Sequence, residues 1–318
     1  MVIDEQQKHS DGVLYLLFFL LIAVLGALWY VRHVAAVAPA QRIEKVNSFS
    51  TGSINTPISV HFLDIGQGDA TYIEFTDGRD MLVDCSKDAR VLPALGRSMK
   101  AFDRTIDYLV ITHPHADHFG GCIDVLKRFT VKHIVYNGLE SHSDPLWQLF
   151  WQVVQDEGAE ITVIDHEQTW NMASSTVHFL YPDRALGALD IHENGVGDLG
   201  TKINDTSIVF LLQYGQEKAL FTGDMESDLE STLVDRYGIL LDVDVLKVGH
   251  HGSPGASSQK FLDMVTPAWA SISVGKENTY GHPSQRVIKR LERLNTQVFR
   301  TDLDGDVILQ IFSDAVIQ

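Results

Sequence analysis

The sequence predicts an α/β domain in four layers, helix, sheet, sheet, helix, behind an N-terminal transmembrane helix. Three observations predict it. Short β-rich runs alternate with amphipathic helical ones along most of the chain. The strands are numerous and in mixed order, which calls for two sheets, each burying one face on the other. An uncharged apolar run precedes them all.

That run is residues 13–31 (VLYLLFFLLIAVLGALWYV), which at 1.5 Å per residue spans about 28 Å, close to a bilayer's hydrocarbon core. Trp29 and Tyr30 close it as an interfacial belt. Nothing within it alternates with polar residues, as a buried core helix with a soluble face would require. It is also longer than the ~7–15 residue apolar region of a signal peptide, although Ala38-Pro39-Ala40 resembles a cleavage site. The reading is an uncleaved single-pass anchor (1–33) held in the lipid bilayer, a tether rich in Ala, Ser, Thr and Asn (34–55), and a domain over 56–318. The flanking bases, Lys8 before the span and Arg32, Arg42 and Lys45 after it, taken alone hold the domain in the cytoplasm.

In the domain, strands predicted at 58–65, 71–75 and 81–85 form a meander across GQGD and DGRD turns. A helix over 90–101, a strand at 108–112, a helix over 118–129, a strand at 133–136 and a helix over 145–155 give the α/β alternation. Strands at 161–164, 177–181, 207–214 and 219–222 lead to a helix from 226. After it come a strand at 243–248, a helix over 257–264, a strand at 269–274, a helix over 283–294, and strands at 297–300 and 306–312. The break over 183–202, rich in Gly and acids, reads either as an exposed loop at the edge of a site or as simple connection.

The 318 residues carry 25 bases and 42 acids, a net −17, with 45% apolar content. The first 55 residues balance, so the whole charge sits on 56–318. This excludes a disordered chain and a basic nucleic-acid coat, because non-specific grip on phosphate backbones comes from Lys and Arg displacing counterions. It does not exclude a local site. Two cysteines, Cys85 and Cys122, exclude a disulfide framework or a four-thiolate zinc site and leave at most one bridge, which the count does not decide.

The run THPHADHFGG (112–121) follows the strand YLVIT and opens a helix. A strand-to-helix turn aims alternate side chains inward, so His113, His115, Asp117 and His118 converge on one or two cations; the plainer reading is a polar turn capped by Asp117. One loop leaves coordination incomplete. Asp224 ends the strand ALFTGD, where a carboxylate suits a bridge between cations, or else caps the helix from Glu226. His250-His251-Gly252-Ser253 again follows a strand, and of the pair one is expected to be a ligand and the other a proton donor or phosphate contact. His282, in a turn before a helix, either donates a proton to a leaving oxygen or organises the turn. Asp64 and Asp69, in and beside the GQGD turn, support histidine ring nitrogens from behind. Arg286, Lys289, Arg290 and Arg293 share a helix face that either binds an anion or is solvated beside Glu292.

Through the H-x-H-x-D-H run the chain resembles the metallo-β-lactamase fold hydrolases. Through HFLDIGQGDA (61–70), ITHPHADHFGG, NDTSIVFLL (204–212), LKVGHHGSPGASS (246–258) and TYGHPS (279–284) it resembles more narrowly the hydrolase domain of the ComEC family of DNA-uptake proteins. The channel domains of that family have no counterpart here, so transport is not implied. The resemblance implies His113 and His115 on a first cation, Asp117 and His118 on a second, Asp224 as the bridge and His250 or His251 closing the set. Where the wider fold carries a further histidine, this chain has Asn204, a neutral oxygen ligand that favours Mn²⁺ or Mg²⁺ over Zn²⁺ or leaves the first position partly filled.

The expected function is a membrane-anchored hydrolase that uses one or two divalent ions to activate water against a phosphodiester, in DNA or a nucleotide, with Asp117, His251 and His282 at the chemistry and Asn204 and Ser253 toward the substrate. The alternatives are hydrolysis of a lactone, thioester or β-lactam, and a binding module with a structural metal. By the same family resemblance the domain is expected on the outer face of the membrane. No protein partner is inferable.

Overall fold

A computed structural model describes residues 56–141, 143–187 and 202–318, with the backbone alone at 191–192 and 195–196. The anchor predicted over 13–31 and the tether over 34–55 lie outside the described residues. Among the described residues no helix is long and apolar enough to cross a membrane.

One sheet has eight strands in the order Val316–Ile317, Val307–Ile311, Ile58–Phe62, Thr71–Glu74, Asp80–Val83, Thr105–Ile111, Thr130–Tyr136, Glu160–Val163. A second has seven, in the order Gln297–Arg300, Trp269–Ile272, Val245–Lys247, Glu217–Phe221, Val209–Tyr214, Ser175–Tyr181, Gln168–Met172, and Ile191–His192 pairs with Gly195–Val196 in a small ribbon. Neighbouring side chains on a strand point to opposite faces, and this sorts the core into three layers. Val60, Phe62, Ile73 and Val110 meet Phe179, Phe210, Phe221 and Val245 between the sheets. Leu82, Leu109 and Ile134 face outward onto Leu95, Phe119, Trp147 and Phe150 of the helices on one side. Leu220, Leu246 and Ala270 face Leu229, Leu233, Phe261 and Leu291 on the other. The order helix, sheet, sheet, helix is therefore the one predicted.

Two departures have local causes. The helix expected over 118–129 is two pieces, Ala116–Phe119 and Cys122–Leu126, separated at Gly120-Gly121. Both glycines lie under the 85–88 loop, and a Cβ on Gly121 would stand 2.1 Å from the Cys85 carbonyl oxygen. Strand Gln168–Met172 was not predicted: it is the sheet edge, its residues QTWNM are mostly polar, and only Met172 is fully buried.

Parallel pairing places the site. Val83 pairs with Val110, Ile111 with Tyr136, Leu220 with Leu246 and Leu246 with Ala270, all in parallel register. The loops that leave the carboxyl ends of these strands carry Asp84, the 112–121 run, Asp224 and the His250-His251 pair. Such ends are where open α/β sheets hold ligands.

Cys85 and Cys122 form a buried disulfide that closes 37 residues of sequence and pins the loop after Asp80–Val83 to the start of the helix after the histidine run. Replacing both by Ser is expected to lower the unfolding free energy by about 2–4 kcal/mol, since the bridge restricts the unfolded chain. Urea denaturation of the double variant beside the wild type measures this, and coincident midpoints would contradict it.

Candidate metal centre

The histidine run leaves the strand Thr105–Ile111 and turns into Ala116–Phe119. His113 and His118 are fully buried, and His113 Nε2 lies 3.1 Å from His115 Nδ1. Gly68 closes the turn below: at φ +123° a Cβ there would lie 2.5 Å from the Asp117 carbonyl oxygen. This close approach lets Asp69 N–H donate to that oxygen at 3.2 Å.

Asp84, left-handed at φ 59°, accepts from Thr112 N–H (2.8 Å), Thr112 Oγ1 (2.8 Å) and His118 Nδ1 (2.7 Å). On the other side His251 Nδ1 donates to the Ser273 carbonyl at 3.0 Å. With each Nδ1 engaged, both imidazoles present Nε2 to the same space, the orientation a metal ligand needs. Asp224 Oδ2 lies there, 3.2 Å from His118 Nε2, 3.6 Å from His251 Nε2 and 3.9 Å from His250 Nε2. Asp117 Oδ2 is 3.4 Å from His251 Nε2.

His250 and His251 both have positive φ, 45° and 52°, a conformation that is costly for such side chains and is held by the loop around them. Two left-handed residues in succession send the rings apart. His251 goes inward to Asp117 and Asp224. His250 remains partly exposed and donates from Nδ1 to Glu226 Oε1 at 2.9 Å, and Glu226 in turn accepts from Lys202 Nζ at 2.6 Å. The pair left open by the sequence is thus divided, with His251 the inner and His250 the outer of the two.

The other expected residues are distributed as follows. Asn204 sits beside His250, its Nδ2 3.1 Å from Nδ1, with its Oδ1 buried and making no hydrogen bond. His282 packs its ring 5.7 Å from that of His250. Asp69 is buried 3.5 Å from His251 Nδ1. Asp64 is not brought to the site: it is exposed, its carboxylate accepts from Gly66 N–H and its backbone N–H donates to Asp306. Ser253 also serves its own turn, bonding back to the His250 carbonyl and accepting from Gly255 N–H.

Burial holds His113 well below the usual imidazole value, and its His118 and His115 neighbours lower it further. His282 is lowered for the same first reason, with His250 adding to it. For His118 burial is opposed and outweighed by the Asp224 and Asp84 carboxylates, which raise it well above its ordinary value. Burial would raise Asp117, but its bond to His251 and the nearby His118 hold it below the usual carboxylate range.

His113, His118 and Asp224 bring ligand atoms within 4.8 Å of one another, and so do Asp117, His118 and His251. His118 Nε2, His251 Nε2 and Asp224 Oδ1 are buried without a hydrogen-bond partner. Nitrogen and carboxylate donors left unpaired around one space fit a divalent cation. The sequence over residues 63–268 matches the metallo-beta-lactamase superfamily, and this stretch carries the histidine run, Asp224 and His251. The chain belongs to the metallo-beta-lactamase superfamily.

Within it, the chain is similar to competence-related proteins. It is 31% identical over 205 residues to ComE operon protein 3 of Bacillus subtilis (strain 168), across 64% of this chain and 24% of that one. It is 32% identical over 243 residues to Competence protein ComA of Neisseria gonorrhoeae, across 76% of this chain and 30% of that one. The chain therefore spans less than a third of the length of these relatives. A CmlA beta-hydroxylase mutant shares the fold, with a TM-score of 0.50 at 15% identity over 80% of this chain and 54% of that one.

Three residues of this superfamily site escaped the sequence reading. Asp84 ends an apolar strand just as Asp224 does, and the same rule applied to MLVD finds it. Glu226 was read only as a helix start. Lys247 has no sequence signal: it is a buried lysine on a strand, its Nζ 2.5 Å from Asp69 Oδ2.

Proposed function

We propose that this superfamily hydrolase is a membrane-anchored, metal-dependent phosphodiesterase acting on DNA or nucleotides. The observation that carries the reading is Asp224, whose carboxylate faces His118 and His251 from one buried position, as a bridge between two ligand groups must. His113, His115, Asp117, His118, Asp224 and His251 would hold the ions, with the neutral Asn204 oxygen favouring Mn²⁺ or Mg²⁺ over Zn²⁺. Bound there, divalent ions acidify water for attack and neutralise charge growing on phosphoryl oxygens. Asp84 and the Ser273 carbonyl keep the His118 and His251 rings turned inward. His250 and His282, adjacent to each other and outside the inner group, are the imidazoles from which a leaving oxygen takes its proton.

The name of one relative, a competence protein, supports DNA as substrate, and metals would supply the positive charge that a −17 chain lacks. The test is the full chain assayed with Mn²⁺, Mg²⁺ or Zn²⁺ against plasmid, single-stranded DNA, a bis-aryl phosphodiester and a chromogenic lactam, with His115→Ala as control. Metal-dependent phosphodiester cleavage is expected; lactam turnover without it rejects the reading.

Residues 13–31 would tether the domain on the outer face of the membrane. The buried Cys85–Cys122 bridge supports that side, because such bonds persist in oxidising compartments, whereas the flanking bases favour the other. Protease added to spheroplasts is expected to digest the domain, and protection would place it inside.

A further inference from the structure

The loop before the last long helix holds an aromatic side chain that the fold does not use. Tyr280 is 70% exposed, and its ring stacks on His282 with 5.9 Å between centroids and 17° between planes. His282 in turn lies against His250, whose Nε2 is 3.9 Å from Asp224. The loop is held in shape by Asn278, which accepts from His282 N–H and donates to the Gly275 and His282 carbonyls. A flat ring, stacked on one side against the His282 imidazole and mostly in solvent, therefore stands two ring contacts out from the histidine that approaches Asp224.

The surrounding charge is locally positive on an acidic protein. Lys276 precedes the platform and Arg286 and Lys289 follow it on the helix Gln285–Arg293; all three are exposed and none is within 4.0 Å of a carboxylate among the described residues. Glu277 and Glu292 are interspersed with them. Arg290, by contrast, is occupied, donating to the Ser257 carbonyl at 2.8 Å.

We propose that the open face of Tyr280 is a stacking site for one unpaired nucleobase of a single strand whose neighbouring phosphate enters the metal centre, with Arg286 and Lys289 meeting phosphates further along. This rests on the phosphodiesterase reading and names the base contact that reading lacks. An aromatic face accepts any base and requires it to be out of a duplex stack, so the site selects for strandedness rather than sequence.

The test uses the full chain and fluorescence anisotropy with two labelled, phosphorothioate-linked probes of equal length, an oligothymidylate and its abasic counterpart. Their backbones match, so only base contacts separate them. Wild type is expected to bind the oligothymidylate about tenfold or more tighter, Tyr280→Ala to erase that preference, and Tyr280→Phe to keep it. Equal binding of both probes by wild type, no binding of either, or a preference that survives Tyr280→Ala overturns the proposal. Cleavage without a Tyr280-dependent preference removes the platform and leaves the enzyme; the preference without cleavage by any metal-loaded form removes the enzyme and leaves the platform.

Discussion

Asp224→Ala is expected to strip the protein of stoichiometric divalent metal and to lower phosphodiester turnover at least ~10³-fold, the equivalent of several kcal/mol of charge stabilisation. Among the described residues Asp224 offers the one carboxylate within 4.0 Å of ring nitrogens of His118, His251 and His250 together. Without metal, His251 reports on the same contact. Burial alone would lower it, but the Asp224 and Asp69 carboxylates reverse the sign and push it up to about 10. A folded value raised above the ordinary 6.5 stabilises fully below 6.5, and that stabilisation is lost as pH rises through about 10. The metal-free wild type is thus expected to exceed Asp224→Ala in stability at pH 6, with the gap closing toward pH 10. Because a cation must displace the same proton, the apparent Mn²⁺ affinity of the wild type should climb over that range. Elemental analysis and Mn²⁺ titrations at several pH values check both, and a variant that keeps its metal and its turnover would remove Asp224 from the centre.

How much of this was legible in the residues depended on whether one stretch of chain contained the signal. The histidine run announces itself because four candidate ligands, three histidines and an aspartate, stand in one loop behind an apolar strand. Asp224 and the His250-His251 pair could be placed because each follows a strand, and parallel sheets gather strand ends at one edge. Which of two adjacent histidines turns inward was not legible, since φ values of 45° and 52° depend on the loop packed around them. The broken helix after His118 was hidden for a related reason: Gly120 and Gly121 are there for the 85–88 loop, thirty-odd residues earlier, which no local window includes. That Asp69 but not Asp64 reaches the site was hidden in the same way: five residues apart, Asp64 stays exposed while Asp69 is buried against a partner from the opposite sheet.

That partner, Lys247, is where removal of one side chain is expected to cost most in stability. Its Nζ lies 2.5 Å from Asp69 Oδ2 and near the Gly223 and Val248 carbonyls at 3.3 and 3.2 Å, with both side chains almost entirely buried. Lys247 stands on the second sheet and Asp69 on a loop of the first, so the ion pair ties together the two halves that carry His251 and Asp117. Burial pushes Asp69 up, yet the Lys247 ammonium and His251 hold it below the ordinary carboxylate value. Taking the ammonium away leaves a buried carboxylate without its nearest cation, with only the neighbouring histidines beside it, and breaking such a pair from one side costs about 3–5 kcal/mol. Lys247→Met, which keeps the volume, is therefore expected to lose that amount in urea denaturation at pH 7. The pH dependence separates this from mere loss of packing. A depressed carboxylate contributes stability above its unfolded value of 3.8 and loses it as pH falls through the folded value, so the difference between wild type and Lys247→Met should shrink in acid. Asp69→Asn in the Lys247→Met background removes the stranded charge and should recover part of the loss at neutral pH. A deficit that is the same at every pH and is not relieved by the second substitution would mean that Lys247 merely fills space.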